Sequence, residues 1–207
     1  MCLDMLKNDI LMKFNTRPNK PHPYLVGING LAGAGKTTLV KKLEERLKQK
    51  CPVIVLHLDD YIVEREKRYG TGHEEWYEYY YLQWDIEMLS ERLFKKLQMN
   101  DGKLILPYYD KFADRINQKA ISFSSDGIIL IEGIFILRKE WKAFFDYTVF
   151  VDCPKEIRYQ RVLERDKYIG DEQAVLEKYK RRYWPAEKYY LETEYPKRSA
   201  DKIFPCV

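Results

Sequence analysis

The twelve residues Gly27-Ile28-Asn29-Gly30-Leu31-Ala32-Gly33-Ala34-Gly35-Lys36-Thr37-Thr38 constrain this chain more than any other stretch. They follow the apolar run Tyr24–Ile28, which reads as a buried strand, and lead into Leu39, Val40, Leu43 and Leu47, spaced as on an amphipathic helix. Gly30 to Thr37 fits the phosphate-loop pattern of two glycines five apart, then Lys and a hydroxyl residue. Glycines let the backbone curl so that successive N–H groups point inward, and the helix N-terminus adds its positive dipole end. The loop residues Gly30, Leu31, Ala32, Gly33, Ala34, Gly35, Lys36, Thr37 and Thr38 are therefore expected to cradle a nucleoside triphosphate. Lys36 would reach the β- and γ-phosphates, and the Thr37 hydroxyl would ligate Mg²⁺.

With 207 residues, one domain is expected: an N-terminal amphipathic helix over 1–15, a Pro-rich connector over 16–23 and a core over 24–207. The formal charge of +4 suits a protein handling polyphosphates and does not by itself argue for nucleic acid. No apolar run approaches the ~18–20 residues of a membrane span, and the first helix carries Asp4 and Asp9 rather than a signal peptide's unbroken apolar core. The scattered Cys2, Cys51, Cys153 and Cys206 form no CxxC pair. They read as free thiols in a reducing cytoplasm, and His22, His57 and His73 show no metal-ligand spacing.

Further along, Val53–Leu58 is a second strand that ends in Asp59-Asp60-Tyr61, two carboxylates where open α/β sheets place their ligands. Residues 63–73 are polar, contain Gly70 and Gly72, and read as a mobile loop. Trp76, Tyr80 and Trp84 recur every four residues, as on one helix face that either docks on the body or lines an acceptor pocket. Lys103–Tyr109 and Lys119–Phe123 suggest a β-ribbon with a long loop. Ile128–Ile131 reads as a central strand of a parallel sheet, and it ends in Glu132. A carboxylate there is costly unless paired or on a metal, which points to a Mg²⁺-associated role. After the strand Tyr147–Val151, a helix carries Arg158, Arg161 and Arg165 on one face, the pattern of a lid that clamps ATP phosphates. The helix over 171–191 contains the basic aromatic run 178–184, and 200–204 is short enough for an edge strand.

The succession of phosphate loop, Leu58-Asp59-Asp60-Tyr61, Pro107-Tyr108-Tyr109-Asp110, Ile131-Glu132-Gly133-Ile134, Phe150-Val151-Asp152 and Arg-bearing helix resembles the uridine kinase/phosphoribulokinase family, over roughly residues 22–206. The resemblance implies a three-layer α/β/α P-loop fold with a five-stranded parallel core sheet, a small β-ribbon insertion and an Arg-bearing lid helix. It implies Asp59 as general base with Lys36 on the phosphates, Thr37 and Glu132 as the Mg²⁺-associated pair, and Tyr109 beside the acceptor. Asp60, Tyr61, Tyr80, Trp84 and Asp114 complete the candidate acceptor residues. Two departures concern the acceptor: the family's Asp-His-Pro stretch is matched by Tyr79-Tyr80-Tyr81, and its base-reading His by Asp114.

The expected activity is phosphoryl transfer from ATP, with Mg²⁺, to a hydroxyl of a nucleoside or similar small metabolite. No nucleic-acid or membrane partner is expected, and a homo-oligomer is left open. The alternatives are a nucleotide-binding regulatory protein without acceptor chemistry and, on the basic run 178–184, a nucleic-acid-handling P-loop ATPase.

Overall fold

The computed structural model describes residues 2–17, 21–99 and 102–206. Residues 18–20 of the expected connector therefore lie outside the described residues. Five strands, β1 (Tyr24–Gly30), β2 (Val53–His57), β5 (Ile128–Gly133), β6 (Tyr147–Asp152) and β7 (Lys202–Pro205), form a sheet in the order β2-β5-β1-β6-β7 with all four pairings parallel. β1 and β5 are buried along their whole length, which is why they read as unbroken apolar runs rather than as alternating ones. β3 (Lys103–Asp110) and β4 (Arg115–Ser122) form a separate antiparallel ribbon. The long loop expected there is shorter: residues 111–114 alone make the turn, because Asp110 pairs with Arg115 in the ladder.

Helices cover both faces of the sheet. On one face α1 (Cys2–Thr16) and α2 (Lys36–Leu47) pack Leu6, Ile10, Leu39, Leu43 and Leu47 against Val26, Ile28, Leu130 and Val149. The other face buries Leu25, Leu56, Ile129, Ile131 and Phe150 beneath α3 (75–82), α4 (86–99) and α6 (172–194). α5 (Lys155–Arg165) lies over the phosphate loop and meets α6 through Val162, Val175 and Tyr179.

α3, α4 and α6 each contain a π-helical stretch, at Glu78–Leu82, Ser90–Lys95 and Tyr179–Tyr183. A π turn shifts the face that later residues present, so a four-residue repeat no longer marks one stripe. The expected stripe of Trp76, Tyr80 and Trp84 is not carried by one helix, but all three rings pack on one core, Tyr80 and Trp84 both against Phe135 and Trp76 and Tyr80 both against Tyr189, so the docking alternative is the one realised. α3 ends at Leu82, and Trp84 lies beyond it, bridged to Ile62 and donating its indole N–H to the Leu58 carbonyl at 3.0 Å. The expected mobile loop at 63–73 also carries structure. Arg65–Arg68 is a helical turn, and Arg68 is buried, donating to the Val63 carbonyl at 2.8 Å. The run 178–184 is committed to acids of the same chain. Arg182 is fully buried on Glu78 at 3.0 Å, Arg181 reaches Glu75 at 2.7 Å, and Lys180 reaches Glu177 at 2.9 Å.

Candidate active site

The strand order puts the C-terminal ends of β1, β5 and β2 side by side, with β1 running into the phosphate loop. Parallel α/β sheets bind ligands at this edge, because crossovers leaving a strand in opposite directions open a crevice there. The loop closes on α2 with Gly35 in the left-handed region as N-cap, and the Ala34 N–H bonds the Leu31 carbonyl at 3.1 Å. Lys36 donates to the Leu31 carbonyl at 3.3 Å. Burial pushes its pKa down, opposed by the carboxylates of Glu132, Asp59 and Glu187. Thr37 and Thr38, in the first turn of α2, are exposed.

Sheet register sets the next contacts. Glu132 on β5 stands opposite His57 on β2 and Ile28 on β1. The residue is 7% exposed, and the single oxygen Oε1 of its carboxylate accepts both the Thr37 hydroxyl at 2.9 Å and the His57 Nδ1–H at 2.8 Å. Burial alone would raise the Glu132 pKa. The His57 hydrogen bond, the Lys36 charge and the Thr37 hydroxyl outweigh it and hold the carboxyl below its ordinary value. The same hydrogen bond raises the His57 pKa.

A divalent cation fits this corner. A hydroxyl and a carboxylate already meet at one point beside the loop, and both are hard oxygen donors of the kind Mg²⁺ prefers. Among the described residues no group of three or more His, Cys, Asp and Glu gathers as a metal cage. The remaining ligands would thus come from phosphate oxygens and water, the usual way Mg²⁺ is held.

Asp59 and Asp60 open the 3₁₀ turn Leu58–Tyr61 directly after β2. Asp59 is solvent-exposed, and its pKa is shifted upward by loss of hydration first and by the Glu132 carboxylate next, against the pull of Lys36 and Arg165. Asp59 therefore shares one electrostatic neighbourhood with the loop lysine, the β5 acid and the lid. Asp60 turns toward His57 and Lys119. Tyr79 feels the Asp59 charge and packs edge-on to Tyr183 at 4.8 Å between ring centroids.

The three lid arginines share a helix but diverge in what they touch. Arg158 is buried, donating to the Ala32 carbonyl at 3.0 Å and pairing with Glu187 at 3.0 Å. Arg161 donates to the Gly33 carbonyl at 3.4 Å. Arg165 grips Asp166 through two bonds of 2.7 and 2.9 Å and reaches the Tyr179 hydroxyl at 3.1 Å. Of the three, Arg165 is the one whose charge both Lys36 and Asp59 feel.

The expected acceptor residues divide. Tyr109 donates its hydroxyl to Asp114 at 2.9 Å and accepts from Arg68 at 3.1 Å, while Asp114 also takes the Arg65 N–H at 3.0 Å. These groups tie the ribbon turn to the segment after β2. Tyr80 lies elsewhere, buried against Phe135 and Tyr189 with Arg138 over its ring. Trp84 and Tyr61 are core.

Three residues of this region, His57, Arg68 and Glu187, were not among the site residues expected from the sequence, and Tyr79 stood there only as a departure from the family pattern. His57 carried a signal, since it sits two residues before Asp59 at a strand end. Glu187 carried none; it is a helix acid like many others until α6 folds back over the loop.

A family model described as the phosphoribulokinase / uridine kinase family matches residues 25–207. A uridine kinase from Borrelia duttonii is 31% identical over 191 residues, spanning 87% of this chain and 85% of the relative. A uridine kinase from Lactobacillus johnsonii is 29% identical over 194 residues, spanning 88% and 86%. Among solved structures, a possible uridine kinase from Bacillus stearothermophilus superposes with a TM-score of 0.80 at 42% identity, covering 98% of this chain and 96% of that one. With its phosphate loop, five-stranded parallel sheet and lid arginines, the chain belongs to the phosphoribulokinase/uridine kinase family of P-loop kinases.

Proposed function

We propose that this protein transfers the γ-phosphoryl group of ATP to a hydroxyl of a small metabolite, a nucleoside or a similar polyol. The observation that carries the reading is the placing of Asp59, an exposed carboxylate in the turn directly after β2, two residues from His57, which shares Glu132 with Thr37 of the phosphate loop. In a phosphoryl transfer the protein mainly positions the partners and neutralises charge. The loop amides and Lys36 would hold the phosphates. Thr37 and Glu132 would hold Mg²⁺, which when bound would supply positive charge to offset that of the phosphates. Arg165 would face the transferred group from the lid. Asp59 would orient the acceptor hydroxyl and take its proton.

Acceptor choice belongs to the surface between Asp59, Tyr79 and Tyr183. The uridine kinase relatives make nucleosides the first class to try. The nucleic-acid reading is less favoured, since Arg182 of the basic run is buried on Glu78, while Lys180 and Arg181 stay exposed in surface pairs.

The test is coupled ADP release across nucleosides, sugars and vitamin precursors, with wild type and Asp59→Asn. One or more acceptors should support turnover in the wild type, and Asp59→Asn should lower kcat at least 100-fold while MgADP binding stays within threefold, on the order of a general base's contribution. Tight MgADP binding with no acceptor turned over would favour a regulatory protein instead. Retained activity in the variant would remove Asp59 from the base role.

A further inference from the structure

The phosphate loop is held from outside by a buried ion pair contributed by two helices more than 120 residues downstream. Ala32 presents both of its backbone polar groups to that pair. Its N–H donates to Glu187 Oε1 at 2.7 Å, and its carbonyl accepts from Arg158 Nη1 at 3.0 Å. The same Arg158 nitrogen donates to Glu187 Oε2 at 3.0 Å, closing a ring of three groups from the loop, α5 and α6. Arg158 and Glu187 are 7% and 3% exposed. A second contact reinforces the arrangement: Tyr190, one turn further along α6, bonds Asn29 Nδ2 at 2.6 Å immediately before the loop.

Two charges buried for stability alone are a poor bargain, since taking them out of water costs about what their attraction returns. What the pair provides here is a fixed orientation. A phosphate loop binds anions through amides that must already point inward, because ordering them at the moment of binding would subtract from affinity. With both polar groups of Ala32 tied outward, the peptides on either side of it lose their freedom to rotate.

We infer that Glu187 and Arg158 are positioning residues that hold the phosphate loop in its nucleotide-ready shape, so that nucleotide affinity depends on a carboxylate of the C-terminal helix α6. Arg158 then acts through the loop rather than on the phosphates, a different role from that of Arg165. The inference rests on the reading of the loop as the nucleotide site.

Three variants test it, each read by MgADP titration calorimetry and by thermal melting of the full chain. Glu187→Asp keeps the charge opposite Arg158 but withdraws the carboxylate by one methylene from Ala32. It should raise the MgADP Kd about tenfold (~1.4 kcal/mol, close to one hydrogen bond to a charged group) while the melting temperature stays near that of the wild type. Glu187→Gln strands the Arg158 charge and should weaken MgADP more and lower the melting temperature as well. Arg158→Gln/Glu187→Gln puts two amides in place of the ion pair and should bind MgADP at least threefold more tightly than Glu187→Gln or, if that variant does not fold, than Arg158→Gln. Wild-type MgADP affinity in folded Glu187→Asp would overturn the inference, as would a double variant that regains melting temperature without regaining affinity. Failure of the wild-type chain to bind MgADP would instead overturn the reading of the loop itself.

Discussion

Gly33 lies against the lid helix with no room for a Cβ, and Gly33→Ala measures that contact directly. Gly33 has φ of +75°, in the left-handed region, where a Cβ costs about 1–2 kcal/mol by itself. The added carbon would also lie 2.7 Å from the Arg158 carbonyl oxygen and 3.0 Å from Val162 Cγ1. The first is backbone of α5 and the second a buried side chain, so neither can swing aside. α5 must step back instead, at an overpacking cost of about 1–3 kcal/mol. The two contributions add to about 2–5 kcal/mol. For a chain of this length each kcal/mol lowers Tm by about 2–4 °C, so a fall of roughly 4–20 °C is expected. Gly70→Ala is the control: its φ is +67°, and nothing lies within 4 Å of the added carbon, so it carries the backbone cost without the contact. Thermal melts of both variants beside wild type give the difference. Gly33→Ala melting no lower than Gly70→Ala would show that loop and lid do not press on one another, and the account of how α5 seats on the loop would fall.

Lys36→Ala removes the one loop cation. It should lower kcat/KM for ATP by at least 100-fold, on the order of losing a charge aimed at the transition state, measured by coupled ADP release; a loss under tenfold would refute its placement on the phosphates. The His57–Glu132 pair predicts a pH dependence with a definite sign. His57 has its folded pKa raised above the ordinary 6.5, so its contribution is complete below that value and fades as pH rises through the folded pKa. Glu132 has its pKa lowered below 4.5, so its contribution is present above 4.5 and fades as pH falls through the folded value. Wild type should therefore out-melt His57→Gln most between about pH 5 and 6.5, with the gap closing toward pH 8.5; a gap that widens with pH would refute the pairing. Tyr79→Phe and Tyr183→Phe should raise KM for the acceptor severalfold with KM for ATP unchanged, and equal effects on both substrates would remove these rings from the acceptor surface.

Residue spacing alone was enough to locate the phosphate loop, the strands on either side of it and the acids at the ends of β2 and β5. Backbone conformation there is local: a Gly-rich turn between a buried strand and a helix start leaves few alternatives, and a strand buried on both faces must be apolar throughout. The same locality explains the errors. A four-residue repeat implies one continuous helix, whereas α3 ends at Leu82 and Trp84 reaches the same core as Tyr80 from beyond it. Nothing short of tertiary structure could assign partners to charges. Arg158, Arg161 and Arg165 are equivalent by spacing, yet burial sends the first to Glu187 and Ala32 and leaves the third exposed on Asp166 and Tyr179. Which carboxylate meets which guanidinium depends on which helix folds over which loop, and 29 residues separate Arg158 from Glu187 along the chain. The phosphate loop is legible because its physics is contained in eight consecutive residues; the clamp that steadies it is assembled from distant segments, and only the packed fold brings them together.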